Sequence, residues 1–85
     1  MSVTMAQVSL YPLRQASIGP TIREAVRLFR RQGLEIRVGE MSTLVWGSEQ
    51  AVFAALQEAF HRAAESGDTV MTVTVSNACP SPEEP

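Results

Sequence analysis

A chain of 85 residues holds one domain at most, and a domain this small buries only about 60% of the surface its unfolded chain exposes, so it gains by assembling into a symmetric oligomer. With 45% hydrophobic and 19% charged residues the composition excludes a disordered chain, and a net charge of −2, from seven basic and nine acidic residues, excludes an electrostatic footprint for nucleic acid. No apolar stretch approaches the roughly 20 residues of a membrane span, the first residues lack the pattern of a signal peptide, and the single Cys79 excludes an internal disulfide; the expected location is the cytoplasm, with no membrane partner.

The first predicted strand covers Val3 to Leu10, where Ala6, Val8 and Leu10 alternate with Gln7, Ser9 and Tyr11. Pro12, which has no N–H for a ladder, is expected to end it. A helix follows over Ser17 to Gln32, with Ile18, Ile22, Ala25, Val26 and Phe29 on one stripe. Pro20 suits its first turn, Arg30 and Arg31 suit the negative end of its dipole, and Gly33 supplies the left-handed stop. The arginines at positions 23, 27, 30 and 31 read as its solvated face.

Leu34 to Val38 and Ser42 to Trp46 read as two strands of a hairpin, joined by a short turn over Gly39 to Met41. Ser48 is the expected N-cap of a second helix ending near Glu65, with Glu49 at its positive end. Val52, Ala55, Leu56, Ala59, Phe60 and Ala63 form its expected buried stripe, and Glu58 and Arg62 an i,i+4 pair on its wet side. After a turn at Ser66-Gly67-Asp68, the fourth strand spans Thr69 to Ser76, with Met71, Val73 and Val75 alternating against Thr72, Thr74 and Ser76. The domain thus covers residues 3–77, and the proline- and glutamate-rich 78–85 reads as a disordered tail.

The order β-α-β-β-α-β predicts an α+β, ferredoxin-like fold: a four-stranded antiparallel sheet with two helices on one face. The other face is open. On the first and fourth strands it carries Gln7, Ser9, Tyr11, Thr72, Thr74 and Ser76, hydroxyls and an amide with no charge. Such a face suits burial against another subunit or around a polar ligand, although threonine favours strands in any case. Catalytic signals are sparse. His61 is expected at the surface, Cys79 has no neighbour in sequence that would lower its pKa, and no zinc spacing or phosphate loop is present. The chain reads as a binding protein without a resident cofactor rather than an enzyme.

Three segments are more specific: SLYP (Ser9 to Pro12), STLVWGS (Ser42 to Ser48) followed by AVF (Ala51 to Phe53), and SNACPS (Ser76 to Ser81). In their order and spacing they resemble the thiamine- and hydroxymethylpyrimidine-binding proteins of the YkoF type, within a wider MTH-type ferredoxin-like superfamily, over about residues 5–81. The resemblance implies a non-catalytic protein for thiamine or its hydroxymethylpyrimidine part, serving thiamine salvage or uptake. It also implies sheet-to-sheet pairing, which a chain with one such unit meets as a homodimer or homotetramer. Ser9, Tyr11, Ser42, Thr43 and Asn77 carry over as ligand-binding candidates from the matching segments, Thr43 foremost. Ser76 is a further hydroxyl for the ring edge, and Tyr11 or Trp46 would cover a ring face. Trp46 departs from the family pattern, because relatives commonly carry an acidic residue just before the glycine that matches Gly47. Its strand parity with Leu44 also suits a core position. A homo-oligomer with no ligand, its sheet face filled by its own partner, is the alternative.

Overall fold

The computed structural model describes residues 3–13, 19–39 and 42–78. The elements are β1 (Thr4–Pro12), α1 (Gly19–Arg31), β2 (Glu35–Val38), β3 (Thr43–Gly47), α2 (Glu49–Glu65) and β4 (Thr69–Ser76). The strands form one antiparallel sheet in the order β2-β3-β1-β4, the ferredoxin-like arrangement that the element order predicts. The predicted boundaries hold to within two residues where the chain is described. Ile18, the Glu40–Met41 part of the turn, Cys79 and the rest of the tail lie outside the described residues.

Strand side chains alternate between faces, and the register stacks like with like. Ala6 lies opposite Val45 and Val75, Val8 opposite Thr43 and Val73, and Leu10 opposite Met71. This face meets Ala25, Leu28 and Phe29 of α1, Val52, Ala55, Leu56 and Ala59 of α2, and Leu34, in one core cluster. Leu28 was absent from the predicted stripe, yet it is buried. It falls three residues after Ala25, so it extends the same face toward α2. Phe60 was assigned to the core and is 43% exposed. On α2 it sits at the edge of the Val52–Leu56–Ala63 stripe, where a large ring is turned outward. Val75 is likewise half-exposed although it shares the core-facing parity.

Local signals explain the helix ends. The Ser48 hydroxyl accepts the Ala51 N–H at 3.2 Å, which satisfies one of the free donors of α2. At the end of α1, Gly33 adopts φ 80°. Its N–H donates to the Arg30 carbonyl at 3.0 Å, and the Leu34 N–H donates to the Phe29 carbonyl at 3.2 Å. These two bonds form a Schellman stop, and Leu34 is delivered straight into the core. Gly47 leaves room for Leu34: a Cβ there would lie 2.6 Å from Leu34 Cδ2, and the leucine would have to shift. The expected Glu58–Arg62 pair is replaced by a contact between helices, with Arg62 Nη1 3.4 Å from Glu24 Oε1.

One expectation about β1 is corrected. The strand runs two residues past the expected Leu10 and takes in Pro12 as its last member, paired with Thr69. The Leu13 N–H donates to the Asp68 carbonyl at 2.8 Å, which continues the same register. In an antiparallel ladder alternate residues bond to the same neighbour. The odd residues of β1 therefore bond to β4, and the even ones present N–H and C=O to the β3 side. The donor that Pro12 lacks falls on that side, where the pairing with β3 has already stopped at Val8–Thr43. The proline costs the sheet no bond.

Phe29 is fully buried, whereas Phe53 is half-exposed on the outer side of α2. In urea unfolding, Phe29→Ala should lose about 3–5 kcal/mol and Phe53→Ala within about 0.5 kcal/mol. Equal losses at the two sites would contradict this core.

Candidate functional site

The unequal lengths of β1 and β3 create a largely apolar cavity. β1 runs four residues past its last β3 pair, from Ser9 to Pro12, supported on one edge by β4. On the other edge the described β3 stops at Thr43, and the hairpin is closed by the Gly39 N–H donating to the Ser42 carbonyl at 2.9 Å. α1 roofs the gap. The resulting cavity has a volume of about 360 Å³, at the lower end of the roughly 300–1,000 Å³ usual for small-molecule sites. Val8, Leu10 and Met71 floor it, Ile22, Val26 and Phe29 cover it from α1, and Val38 and Gly39 close the hairpin side. Among the described residues none of those lining it is charged. Apolar walls with a few polar groups are the usual composition of such sites.

Four of the seven candidates from the sequence meet here: Ser9, Tyr11, Ser42 and Thr43. They do not contribute alike. Thr43 shares the parity of Val8 and Val45, so its side chain is on the helix-facing side, where the cavity lies. Ser42 belongs to the other face; its hydroxyl accepts from Gln7 Nε2 at 3.1 Å. Ser9 and Tyr11 alternate with Val8 and Leu10. They border the cavity where the sheet is open beside β1, and Tyr11 is half-exposed. Thr43 thus carries the hydroxyl best placed to meet a ligand under α1.

The other three candidates lie elsewhere. Ser76 pairs with Met5, at the far end of β1 from Leu10. Five residues of strand separate them, roughly 17 Å. The Ser76 hydroxyl accepts the Ala78 N–H at 3.0 Å, a turn-forming role, and Asn77 is exposed in that turn. Trp46 pairs with Met5 and Glu35 on the face away from the helices. It is 7% exposed yet lies outside the core cluster, so it neither lines the cavity nor joins the helix-side core.

The open face is uncharged on β1 and β4, as expected, and it continues onto β3 and β2. Glu35 and Arg37 of β2 share the parity of Trp46 and Leu44, so charge enters this face at the β2 edge. The uncharged part is confined to β1, β3 and β4, with Tyr11 and Val70 paired and half-exposed.

Sequence reasoning missed the walls of the cavity. Ile22, Val26, Val38 and Met71 were read as periodic apolar positions, which is true of core and of pocket lining alike. The signal that could have found the gap was the proline of SLYP, which marks an unpaired strand edge. A second hollow, about 330 Å³ between the helices, is lined by Glu24, Arg27 and Arg62. Those side chains already pair, with Arg27 Nη2 3.2 Å and Arg62 Nη1 3.4 Å from the two Glu24 oxygens. His61 is exposed on α2, its Nε2 3.8 Å from Glu65 Oε2.

Comparison with known proteins now adds to this geometry. The model of the YKOF-related family matches residues 3–82. None of the curated proteins matches the chain. A hypothetical protein from Methanocaldococcus jannascii superposes with a TM-score of 0.83 at 23% identity, covering 95% of this chain and 86% of that one. A domain of unknown function from Bacillus cereus gives 0.76 at 14% identity, with coverage of 88% and 75%. A candidate thiamine biosynthesis/salvage protein from Thermotoga maritima gives 0.75 at 14% identity, with coverage of 87% and 82%. At these identities the structural likeness establishes the fold. No helix among the described residues is long and apolar enough to cross a membrane.

Trp46 is the only tryptophan, so its emission reports one site. Iodide should quench it far less than a free tryptophan amide. Equal quenching would contradict its burial.

Proposed function

We propose that this chain, which belongs to the YKOF-related family, binds the hydroxymethylpyrimidine ring, free or as part of thiamine, in the cavity between β1, β3 and α1. The observation that carries the reading is the placement of Thr43: a hydroxyl at the inner end of a largely apolar gap of about 360 Å³ whose described lining is uncharged. An aminopyrimidine has two apolar faces and a polar edge. Val8, Leu10 and Phe29 offer apolar surface to the faces, and Thr43 can donate to or accept from the edge. The likeness to a protein named for thiamine biosynthesis/salvage supports the same ligand class.

Binding of this kind needs no catalyst, and the role is carriage in thiamine salvage or uptake within the cytoplasm. The cavity lies on the helix side of the sheet, which leaves the opposite face for a second copy. Tyr11, Val70, Thr72 and Thr74 would meet their equivalents there in a homodimer, or in a homotetramer built from such dimers. A second reading rests on that face alone. Tyr11 and Val70 pair and are half-exposed, and an oligomer formed only to cover them would need no ligand.

Calorimetric titration with hydroxymethylpyrimidine and with thiamine tests the first reading. Saturable heat at a fixed ratio per subunit is expected, and its absence in folded protein would leave the second reading. Thr43→Val keeps the side-chain shape and removes the hydroxyl, so affinity should fall about tenfold. Trp46→Phe, away from the cavity, should leave affinity within about twofold. A larger loss at Trp46 than at Thr43 would move the site to the open face.

A further inference from the structure

The gap beside β1 exposes main chain as well as side chains. The even residues of β1 present N–H and C=O toward β3, as the Leu13–Asp68 bond and the register require. Thr4, Ala6 and Val8 meet β3 residues there. Leu10 is the next in line, it lines the cavity, and among the described residues no strand pairs with it on that edge. Pro12, two residues on, has no N–H to offer. Between Ser9 and Pro12 the cavity side of β1 therefore offers one main-chain donor, the Leu10 N–H, with the Leu10 carbonyl beside it.

A main-chain donor and acceptor side by side, walled by apolar side chains, are costly to leave without partners. A planar ligand that carries an acceptor and a donor on one edge can satisfy both at once, taking the place that a continuing β3 would have filled. Recognition by adding a partner to a strand edge is a recurrent binding mode for peptides, and the same two bonds serve a flat heterocycle.

We propose that the main chain of Leu10 reads the ligand's polar edge: its N–H donates to a ring nitrogen, and its C=O accepts from the adjacent exocyclic amino group. This rests on the binding role proposed above and narrows its ligand class to flat heterocycles with an amino group next to a ring nitrogen. Thr43, opposite Val8 across the ladder, stands at the inner end of the gap, one pair before Leu10. It addresses a second point on the ring, so that main chain and hydroxyl together fix its orientation. Among the described residues the lining carries no charge, so hydrogen bonds to Leu10 and Thr43 make the selection.

The test uses the intact protein with two probes, hydroxymethylpyrimidine and its deaminated analogue, in which hydrogen replaces the exocyclic amino group. Amide hydrogen exchange followed by NMR reads the donor, and calorimetry reads the acceptor. Saturating hydroxymethylpyrimidine should slow exchange of the Leu10 amide about tenfold or more, and the deaminated ring should bind about tenfold more weakly. Calorimetric saturation by hydroxymethylpyrimidine with an unchanged Leu10 amide, or equal affinity for the two rings, would overturn the role of Leu10 and leave the binding function standing. Absence of any heat from hydroxymethylpyrimidine would overturn both.

Discussion

A mismatch of strand lengths governs this molecule. β1 has nine residues and β3 five, and the two part company after Val8–Thr43. β4 runs alongside β1 to Pro12, so the longer strand stays in the sheet with no described strand on its other edge. Such an edge beneath a helix is a cavity, because α1 cannot drop into the gap while its Ala25, Leu28 and Phe29 remain packed on the core. The proline at the end of β1 is part of the same constraint. It removes a donor where none can be paired, which blunts the edge against another chain.

The rest of the fold serves to hold that gap at fixed dimensions. The Schellman stop at Gly33 and the core position of Leu34 tie the end of α1 to β2, and Gly47 leaves the space that Leu34 fills. The turn between β2 and β3 is closed by the Gly39–Ser42 bond, which sets where β3 begins and hence where the gap starts. The Gln7–Ser42 bond ties the same hairpin to β1 from the opposite face. These elements surround a small set of polar groups, and among the described residues the lining carries no charge.

Much of this was legible in the residues. The alternation of Ala6, Val8 and Leu10, the cap at Ser48 and the glycine at 33 each act locally, so a local pattern identifies them. The placement of side chains on one face or the other was harder. Thr43 and Trp46 stand three apart in STLVWGS, and both are candidates in the sequence; three residues along a strand put them on opposite faces, and only Thr43 lines the cavity. Ser76 and Asn77 looked close to Ser9 because β1 and β4 are neighbours. The antiparallel register instead carries them to the far end. Phe60 followed the helical stripe but is 43% exposed, since periodicity gives direction and says nothing of where the neighbouring element ends. Trp46 itself lies on the face opposite the cavity.

The most direct test is a crystal structure of the protein soaked with hydroxymethylpyrimidine. The account predicts a flat ring between β1 and α1, with one edge against Leu10 and the Thr43 hydroxyl within hydrogen-bonding distance. A ring on the open face over Thr72 and Thr74, or an unfilled gap in crystals of protein that binds the compound in solution, would contradict it.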